Sequence, residues 1–364
     1  MPSGEPVQPV RFGLIGSGWI TEQHLAAFAR IDEAEVVAIA DVPRERDRPG
    51  RGEALAEKNS VDYFADYRRM LEHEAVEAVT VALPNSLHAS VTMEALAADK
   101  HVVVEKPLCF TLAEADAIIG AAAAKDLVVG YAEELCYCPK LVRAKGLVES
   151  GAVGRMFWLD QREIHGGPYS DWFFTPELAG GGALMDMGCH AIAYALWMFD
   201  NAEVKSVTAH VDRLRHRAPL DDHVELRIEF EGDRIARLLA GWTLPGGMSS
   251  AARLVGTEGV VDVDLLESNG LSMFSERGAE DLPAGWSRPD FEWLWQNGYP
   301  QEMADFARAI RDGTKPLMSA EDGRRSLEIM WAAYVSAAER RTVTFPFTPP
   351  ANAPYPAAPW LESR

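Results

Sequence analysis

The sequence predicts an α/β fold in two parts, and three observations carry that prediction. Between residues 10 and 132, short, nearly continuous apolar runs alternate with stretches of helical periodicity. After residue 139 the runs lengthen, alternate apolar with polar, and are joined by short, turn-rich connections. The chain has 364 residues, 48% of them hydrophobic, which suffices for two ordinary domains with cores of their own.

The first part follows from the apolar runs at 11–15, 35–40, 78–83, 101–104 and 127–131. Helical patterns lie between and after them at 20–31, 53–59, 67–73, 90–99 and 112–125. Strands that are apolar on both faces, separated by helices, belong to a parallel sheet covered on both sides. In the second part a helix at 140–150 precedes a strand at 154–164, a polar aromatic loop at 165–174 and a helix at 183–199. Alternating segments at 204–213, 223–230, 234–242, 250–255 and 259–264 predict a large, mostly antiparallel open sheet. Helices at 301–312 and 320–340 follow, and the Pro- and Ala-rich residues from 346 read as an extended tail. The expected division is a flexible N-terminus (1–9), a nucleotide-type domain (10–132), a substrate-binding and oligomerisation domain (133–345) and the tail (346–364).

Thirty-five Lys and Arg against 55 Asp and Glu leave a net charge of −20, which argues against nucleic acid or an anionic membrane as partner. Residues 1–9 have neither the basic nor the apolar region of a secretory signal, and nothing in the chain is long and apolar enough for a membrane span. Cys109, Cys136, Cys138 and Cys189 lack the paired Cys-x-x-Cys spacing of common zinc sites, so no metal is expected and reduced thiols in the cytoplasm are.

Gly16-Ser17-Gly18 directly follows the first strand and opens the first helix. That context makes a short glycine pattern a dinucleotide site: Gly16 for the tight turn, Gly18 for close approach of backbone amides to a pyrophosphate at the helix start. Thr21 stands at the third glycine of the fingerprint. Asp41 ends the second strand, where a carboxylate bonds a ribose diol and repels a 2′-phosphate, favouring NAD over NADP; Arg44 and Arg46 stand nearby.

Two further motifs carry chemistry. Glu105-Lys106-Pro107 ends the strand at 101–104, the end at which open parallel sheets bind ligands, and Lys106 there can donate to a substrate hydroxyl. Pro107 fixes the local backbone and is a site for a cis bond. In Gly180-Gly181-Gly182-Ala183-Leu184-Met185-Asp186-Met187-Gly188-Cys189-His190, a helical second half would put Asp186 and His190 on one face. A carboxylate beside an imidazole orients the ring and tunes a proton exchanger that works near neutral pH.

Gly16-Ser17-Gly18, Asp41, Pro84-Asn85-Ser86-Leu87-His88, Glu105-Lys106-Pro107, Asp186…His190 and Glu321-Asp322-Gly323, in this order, resemble the Gfo/Idh/MocA oxidoreductases over residues 10–346. The resemblance implies a Rossmann domain followed by an α/β domain with a large open sheet. It also implies NAD, less readily NADP, held by Gly16, Ser17, Gly18, Trp19, Ile20, Asp41, Pro84, Asn85, His88, Glu105 and Lys106. The implied substrate is a sugar or cyclitol, bound between the domains. Lys106 would position the reacting hydroxyl, His190 would take its proton, and Asp186 would orient His190 or bond a neighbouring hydroxyl. Cys136-Tyr137-Cys138-Pro139 stands where many relatives carry an Arg-aromatic-x-Pro run, so a cysteine replaces a basic residue. Glu133 or Glu134 just before it can bond sugar hydroxyls or lie solvated at a helix start.

Further substrate contacts are expected at His165, Tyr169, Asp171 and Trp172, although Trp172 with Phe173 and Phe174 equally suits a core. Trp286, Trp293 and Trp295 suit a loop that caps a site or buries a subunit contact. An open apolar sheet face predicts a homodimer or homotetramer. Two alternatives stay open: a redox-neutral lyase or hydrolase that retains NAD and works through a transient keto-sugar, and a non-catalytic dinucleotide-binding sensor.

Overall fold

The computed structural model describes residues 8–43, 50–279, 282–289 and 297–364. Arg44, Arg46, Trp293 and Trp295 lie outside the described residues, as do residues 1–7. In chain order the elements are β1 (Val10–Ile15), α1 (Trp19–Phe28), β2 (Ala34–Ala40), α2 (Arg51–Asn59), β3 (Asp62–Phe64), α3 (Tyr67–Leu71), β4 (Ala78–Val81), α4 (His88–Ala97), β5 (His101–Glu105), α5 (Leu112–Ala123), β6 (Val129–Ala132) and α6 (Pro139–Glu149). They continue with β7 (Met156–His165), α7 (Pro176–Ala179), a π-helical turn (Leu184–Gly188), α8 (Cys189–Met198), β8 (Val204–Asp212), β9 (His223–Phe230), β10 (Arg234–Gly241), β11 (Met248–Gly256), β12 (Gly259–Asp264), β13 (Leu271–Ser275) and β14 (Gly285–Ser287). Last come α9 (Tyr299–Asp312), α10 (Ala320–Glu339), β15 (Val343–Thr344) and α11 (Ala358–Glu362). Two compact units result: Met1–Glu134 with Tyr299–Arg324, and Leu135–Gly298 with Arg325–Arg364.

The first unit holds a six-stranded sheet in the order β3-β2-β1-β4-β5-β6, parallel throughout. This doubly wound order places its ligand-binding crevice at the carboxyl ends of the strands. β5 shows why the apolar runs were readable: Val102, Val103 and Val104 are all buried because helices cover both faces. A Thr111–Glu114 capping box starts α5. The late helix α9 joins this unit through its apolar stripe, with Met303, Phe306 and Ala307 in the same core as Phe12, Leu14 and Phe28. Gly130 on β6 makes room for it, since a Cβ there would stand 2.4 Å from the Phe306 ring.

The second unit is built on a nine-stranded sheet in the order β14-β13-β12-β11-β7-β10-β9-β8-β15, antiparallel except for the β7–β10 pair. α8 covers one face and is buried almost all round, with only Trp197 partly exposed. On β7 the alternation is clear: Leu159, Gln161 and Glu163 are buried, whereas Trp158 and Arg162 face outward.

Residues 299–324, expected within the 133–345 domain, belong instead to the first unit, because the apolar stripe of α9 packs into that unit's core, and the structure departs from the sequence expectation elsewhere as well. The helix expected over 183–199 is interrupted, beginning as the π-helical turn before becoming α8. The short strands β3, β13, β14 and β15 have no counterpart among the expected elements, because two to five residues show too little periodicity to read. The tail, expected to be extended, ends in α11, and Trp360 is buried there with its indole N–H donating to the Val211 carbonyl at 3.1 Å. No helix among the described residues is long and apolar enough to cross a membrane.

Candidate active site

In the first unit the turn after β1 is shaped by close packing. Gly16 has φ +104°, and a Cβ on it would lie 2.2 Å from the Ala82 carbonyl oxygen, so only glycine fits. Gly18 is different: a Cβ there would meet nothing within 4 Å, so the backbone at the start of α1 stands open to a ligand. Thr21 is wholly buried and its hydroxyl donates to the Gly16 carbonyl at 3.2 Å, which explains how the turn closes without the third glycine. The Ser17 hydroxyl donates to Asp41 Oδ2, and the Val42 amide donates to Oδ1 at 2.9 Å. Each carboxylate oxygen has capacity for another donor, so the turn and Asp41 fit the pyrophosphate and ribose diol of a dinucleotide. Trp19 stands exposed beside this turn and Ile20 is half-buried.

The loop after β4 is tied to the end of β5. His88 is buried, with Nδ1 2.7 Å from the Pro107 carbonyl oxygen and Nε2 2.9 Å from that of Leu83. Burial pushes its pKa below the usual histidine value, although both carbonyls pull it up. Asn85 is buried and Pro84 half-buried in the same loop, and the Lys106–Pro107 peptide is cis.

Behind Lys106, Glu105 has a buried partner, His24, that the sequence did not reveal. Glu105 Oε1 is 3.0 Å from Nε2 of His24, and Glu105 Oε2 accepts the Lys106 amide at 3.2 Å. Burial pushes the Glu105 carboxyl up, but His24, Lys106 and His88 outweigh it and hold the pKa below the usual range. Glu302 on α9 is wholly buried, and burial with Glu134, Glu105 and Glu133 near it raises its carboxyl well above that range. Glu133 is also wholly buried, which excludes the solvated reading for it; Glu134 is half-buried.

In the second unit Asp186 and His190 are both buried, on the π-helical turn and on α8 respectively. Asp186 Oδ2 accepts the indole N–H of Trp242 at 2.9 Å and lies 3.3 Å from Nε2 of His165. The Gly167 amide donates to Nδ1 of His165 at 3.0 Å, which in the neutral ring leaves the proton on Nε2, facing Asp186. Two donors thus converge on one carboxylate oxygen and fix the plane of the group. The Cys189 thiol donates to the Asp186 carbonyl at 3.2 Å.

The remaining expected contacts separate. Trp172 stacks on Phe173 with ring centroids 3.8 Å apart, and Phe173 and Phe174 both meet the Trp242 ring edge-on. Trp172 therefore belongs to the aromatic cluster around the Asp186 donor. Tyr169 is fully exposed and Asp171 is exposed as well, so neither is gathered with Asp186. Cys136 is wholly buried, as are the other three thiols. Trp242 gave no sign of its role in the sequence, because its partner lies 56 residues away. Asp221 and Asp222, which the sequence did not single out, are also wholly buried.

Residues 10–133 match the model of the oxidoreductase family with an NAD-binding Rossmann fold, and residues 141–262 match that of the GFO/IDH/MocA C-terminal domain. The chain is 25% identical over 355 residues to the D-xylose 1-dehydrogenase [NADP(+)] of Haloarcula marismortui, covering 92% of this chain and 93% of that one. It is 25% identical over 344 residues to the myo-inositol 2-dehydrogenase of Thermotoga maritima, covering 92% and 98%. The solved structure of levoglucosan dehydrogenase in complex with NADH and levoglucosan superposes with a TM-score of 0.82 at 25% identity, covering 93% of this chain and all of that one.

Proposed function

Because the chain belongs to the Gfo/Idh/MocA oxidoreductases, we propose that it is a nicotinamide-dependent dehydrogenase that oxidises a secondary alcohol of a sugar, sugar derivative or cyclitol, with Lys106, Asp186 and His190 as its catalytic set. The observation that carries this reading is the buried Asp186 carboxylate, held by the Trp242 indole and faced by His165, four residues before His190. NAD, when bound, supplies the hydride acceptor, and the turn at Gly16–Gly18 with Asp41 would hold it.

The chain's own residues then divide the remaining work. Lys106 donates to the reacting hydroxyl and stabilises alkoxide charge as it develops. His190 takes the hydroxyl proton, and Asp186 orients the ring and favours its protonated form. Reduction runs the same proton in reverse. His165, which faces Asp186, and Trp172, stacked in the aromatic cluster around Trp242, line the substrate; Glu133 is a further hydroxyl contact. With its buried thiols the enzyme suits the cytoplasm.

The test is incubation of the protein with NAD or NADP and D-xylose, levoglucosan or myo-inositol, read as reduced-nicotinamide absorbance. Turnover is expected with at least one sugar. His190→Ala should lower kcat by about 10²–10⁴-fold while dinucleotide binding stays intact. Product formation without net NADH would replace this reading with the redox-neutral one. Dinucleotide binding with no product from any sugar would favour the sensor.

A further inference from the structure

The adjacent residues Asp221 and Asp222 lie between β8 and β9, outside the proposed catalytic set, and both are wholly buried. Their backbone and side chains point in two directions. Asp221 serves the segment that begins the Asp186 helix. The Gly182 amide donates to its Oδ1 at 2.8 Å, the Ala183 amide to its carbonyl oxygen at 2.9 Å and the Leu184 amide to its Oδ2 at 2.9 Å. Helix-starting amides have no partner within their own helix, and here three successive ones are satisfied by a single residue from elsewhere in the chain. The Tyr334 hydroxyl donates to the same Oδ1 at 2.7 Å. The fit excludes side chains: a Cβ on Gly182 would stand 1.9 Å from the Asp221 carbonyl oxygen, and one on Gly181 would stand 2.3 Å from the Tyr334 hydroxyl.

Asp222 serves the other side. Its Oδ1 accepts the Leu214 amide at 2.7 Å, and its Oδ2 accepts those of Arg215 at 2.8 Å and His216 at 2.6 Å. Its carbonyl accepts the Trp242 amide at 2.8 Å. The loop so held grips Trp242 again, because Arg215 Nη1 and His216 Nε2 each lie 3.1 Å from the Trp242 carbonyl oxygen. Arg215 Nη1 also donates to the Gly166 carbonyl, next to His165. The two residues that present donors to Asp186 Oδ2 are therefore both tied to the Asp222 side.

We propose that Asp221 and Asp222 are a paired positioning device: Asp221 fixes the helix start that carries Asp186 and His190, and Asp222 fixes, through the 214–216 loop, the indole and imidazole that aim Asp186. This rests on the reading of Asp186 and His190 as chemical residues. The device makes the Asp186–Trp242 geometry depend on one dipeptide, so loosening either arm misaims the carboxylate while leaving the nucleotide half of the protein alone.

Three variants of the full-length protein test it. Asp221→Asn puts an amide where two backbone donors converge, Tyr334→Phe removes one donor from Asp221 at nearly constant volume, and Arg215→Ala releases the exposed clamp on Trp242. Hydrogen–deuterium exchange should rise at 182–184 in the first two and at 166–167 and 242–244 in the third, where 182–184 stays protected. With NAD and the best-used sugar among D-xylose, levoglucosan and myo-inositol, each should lose about 10- to 100-fold in kcat with the KM for NAD within about twofold. In Arg215→Ala the acid limb of the kcat–pH profile should move to higher pH, because a carboxylate that loses a donor is easier to protonate. Unchanged exchange at 182–184 in both Asp221→Asn and Tyr334→Phe overturns the Asp221 arm. An unmoved pH limb with wild-type kcat in Arg215→Ala overturns the Asp222 arm. A wild-type protein that turns over none of the sugars defeats the dehydrogenase reading, and the exchange measurement then still decides the positioning.

Discussion

Asp41 is oriented before any ligand reaches it, by the Ser17 hydroxyl on one oxygen and the Val42 amide on the other. A preset carboxylate facing a ribose should tolerate a diol and repel a 2′-phosphate. Asp41→Ala is therefore expected to narrow the NAD-over-NADP ratio of kcat/KM by about 10- to 100-fold, as measured with both dinucleotides. Glu302 makes a prediction about stability. Its carboxyl is raised by burial and by its acidic neighbours, so its folded pKa lies above its unfolded one. The contribution of the protonated form is fully present below the unfolded pKa and is lost as pH rises through the folded pKa. Glu302→Gln should accordingly match the wild type in Tm near pH 4 and exceed it by about 3–6 °C near pH 9 in scanning calorimetry. Glu105 has the opposite sign. Its depressed pKa stabilises the fold above the unfolded value and that contribution is lost as pH falls through the folded one; His24→Ala removes the main cause of the depression, so stability should be lower near pH 7 and its loss below pH 5 shallower. Residues whose task is local, such as Gly16 and Gly18, were legible in the sequence. His24, Trp242 and Asp221 were not, because each acts on a partner distant in the chain.

Among the elements, the segment 180–190 shows both what patterning reveals and where it stops. The glycine run and the Asp–His spacing marked it as special, and the backbone there does press against another segment. What the pattern could not reveal is that the helix opens with a π-helical turn, since an interruption of one turn leaves the apolar periodicity nearly intact. Gly182→Ala is the sharpest test of the packing. With a Cβ 1.9 Å from a backbone oxygen, the helix start must move, and a loss of about 2–4 kcal/mol is expected in urea unfolding, together with loss of turnover. Gly18→Ala, where no atom lies within 4 Å, should leave stability within about 0.5 kcal/mol and weaken dinucleotide binding instead, as read by calorimetric titration. The strands β13 to β15 escaped notice for a simpler reason: pairing with longer neighbours, not their own sequence, makes them strands.

At the scale of the whole molecule, the outer face of the nine-stranded sheet is neither plainly apolar nor plainly solvated. Trp158 and Trp286 are exposed at 37% and 64%, and Arg237–Asp160 and Arg253–Asp262 pairs lie on strands beside them. The homodimer or homotetramer expected from an open sheet face would pair two copies here. Light scattering should then give at least a dimer, and the double substitution Trp158→Asp with Trp286→Asp should give a monomer that keeps its Tm within about 3 °C. A wild-type monomer would sink the idea. The division of labour between a dinucleotide sheet and a second sheet was legible because each has its own hydrophobic period. That the first unit borrows residues 299–324 was not, since α9 is an ordinary amphipathic helix whose destination its sequence does not encode locally.

That borrowed helix has a consequence for the order in which the protein comes into being. A ribosome that has released residue 134 has made all six strands of the nucleotide sheet, yet the groove over Gly130, Phe12 and Phe28 waits for Met303 and Phe306. Until then a growing chain carries an apolar seam open to water and to chaperones. Completion of the dinucleotide half's core is thereby coupled to synthesis of nearly all of the other half.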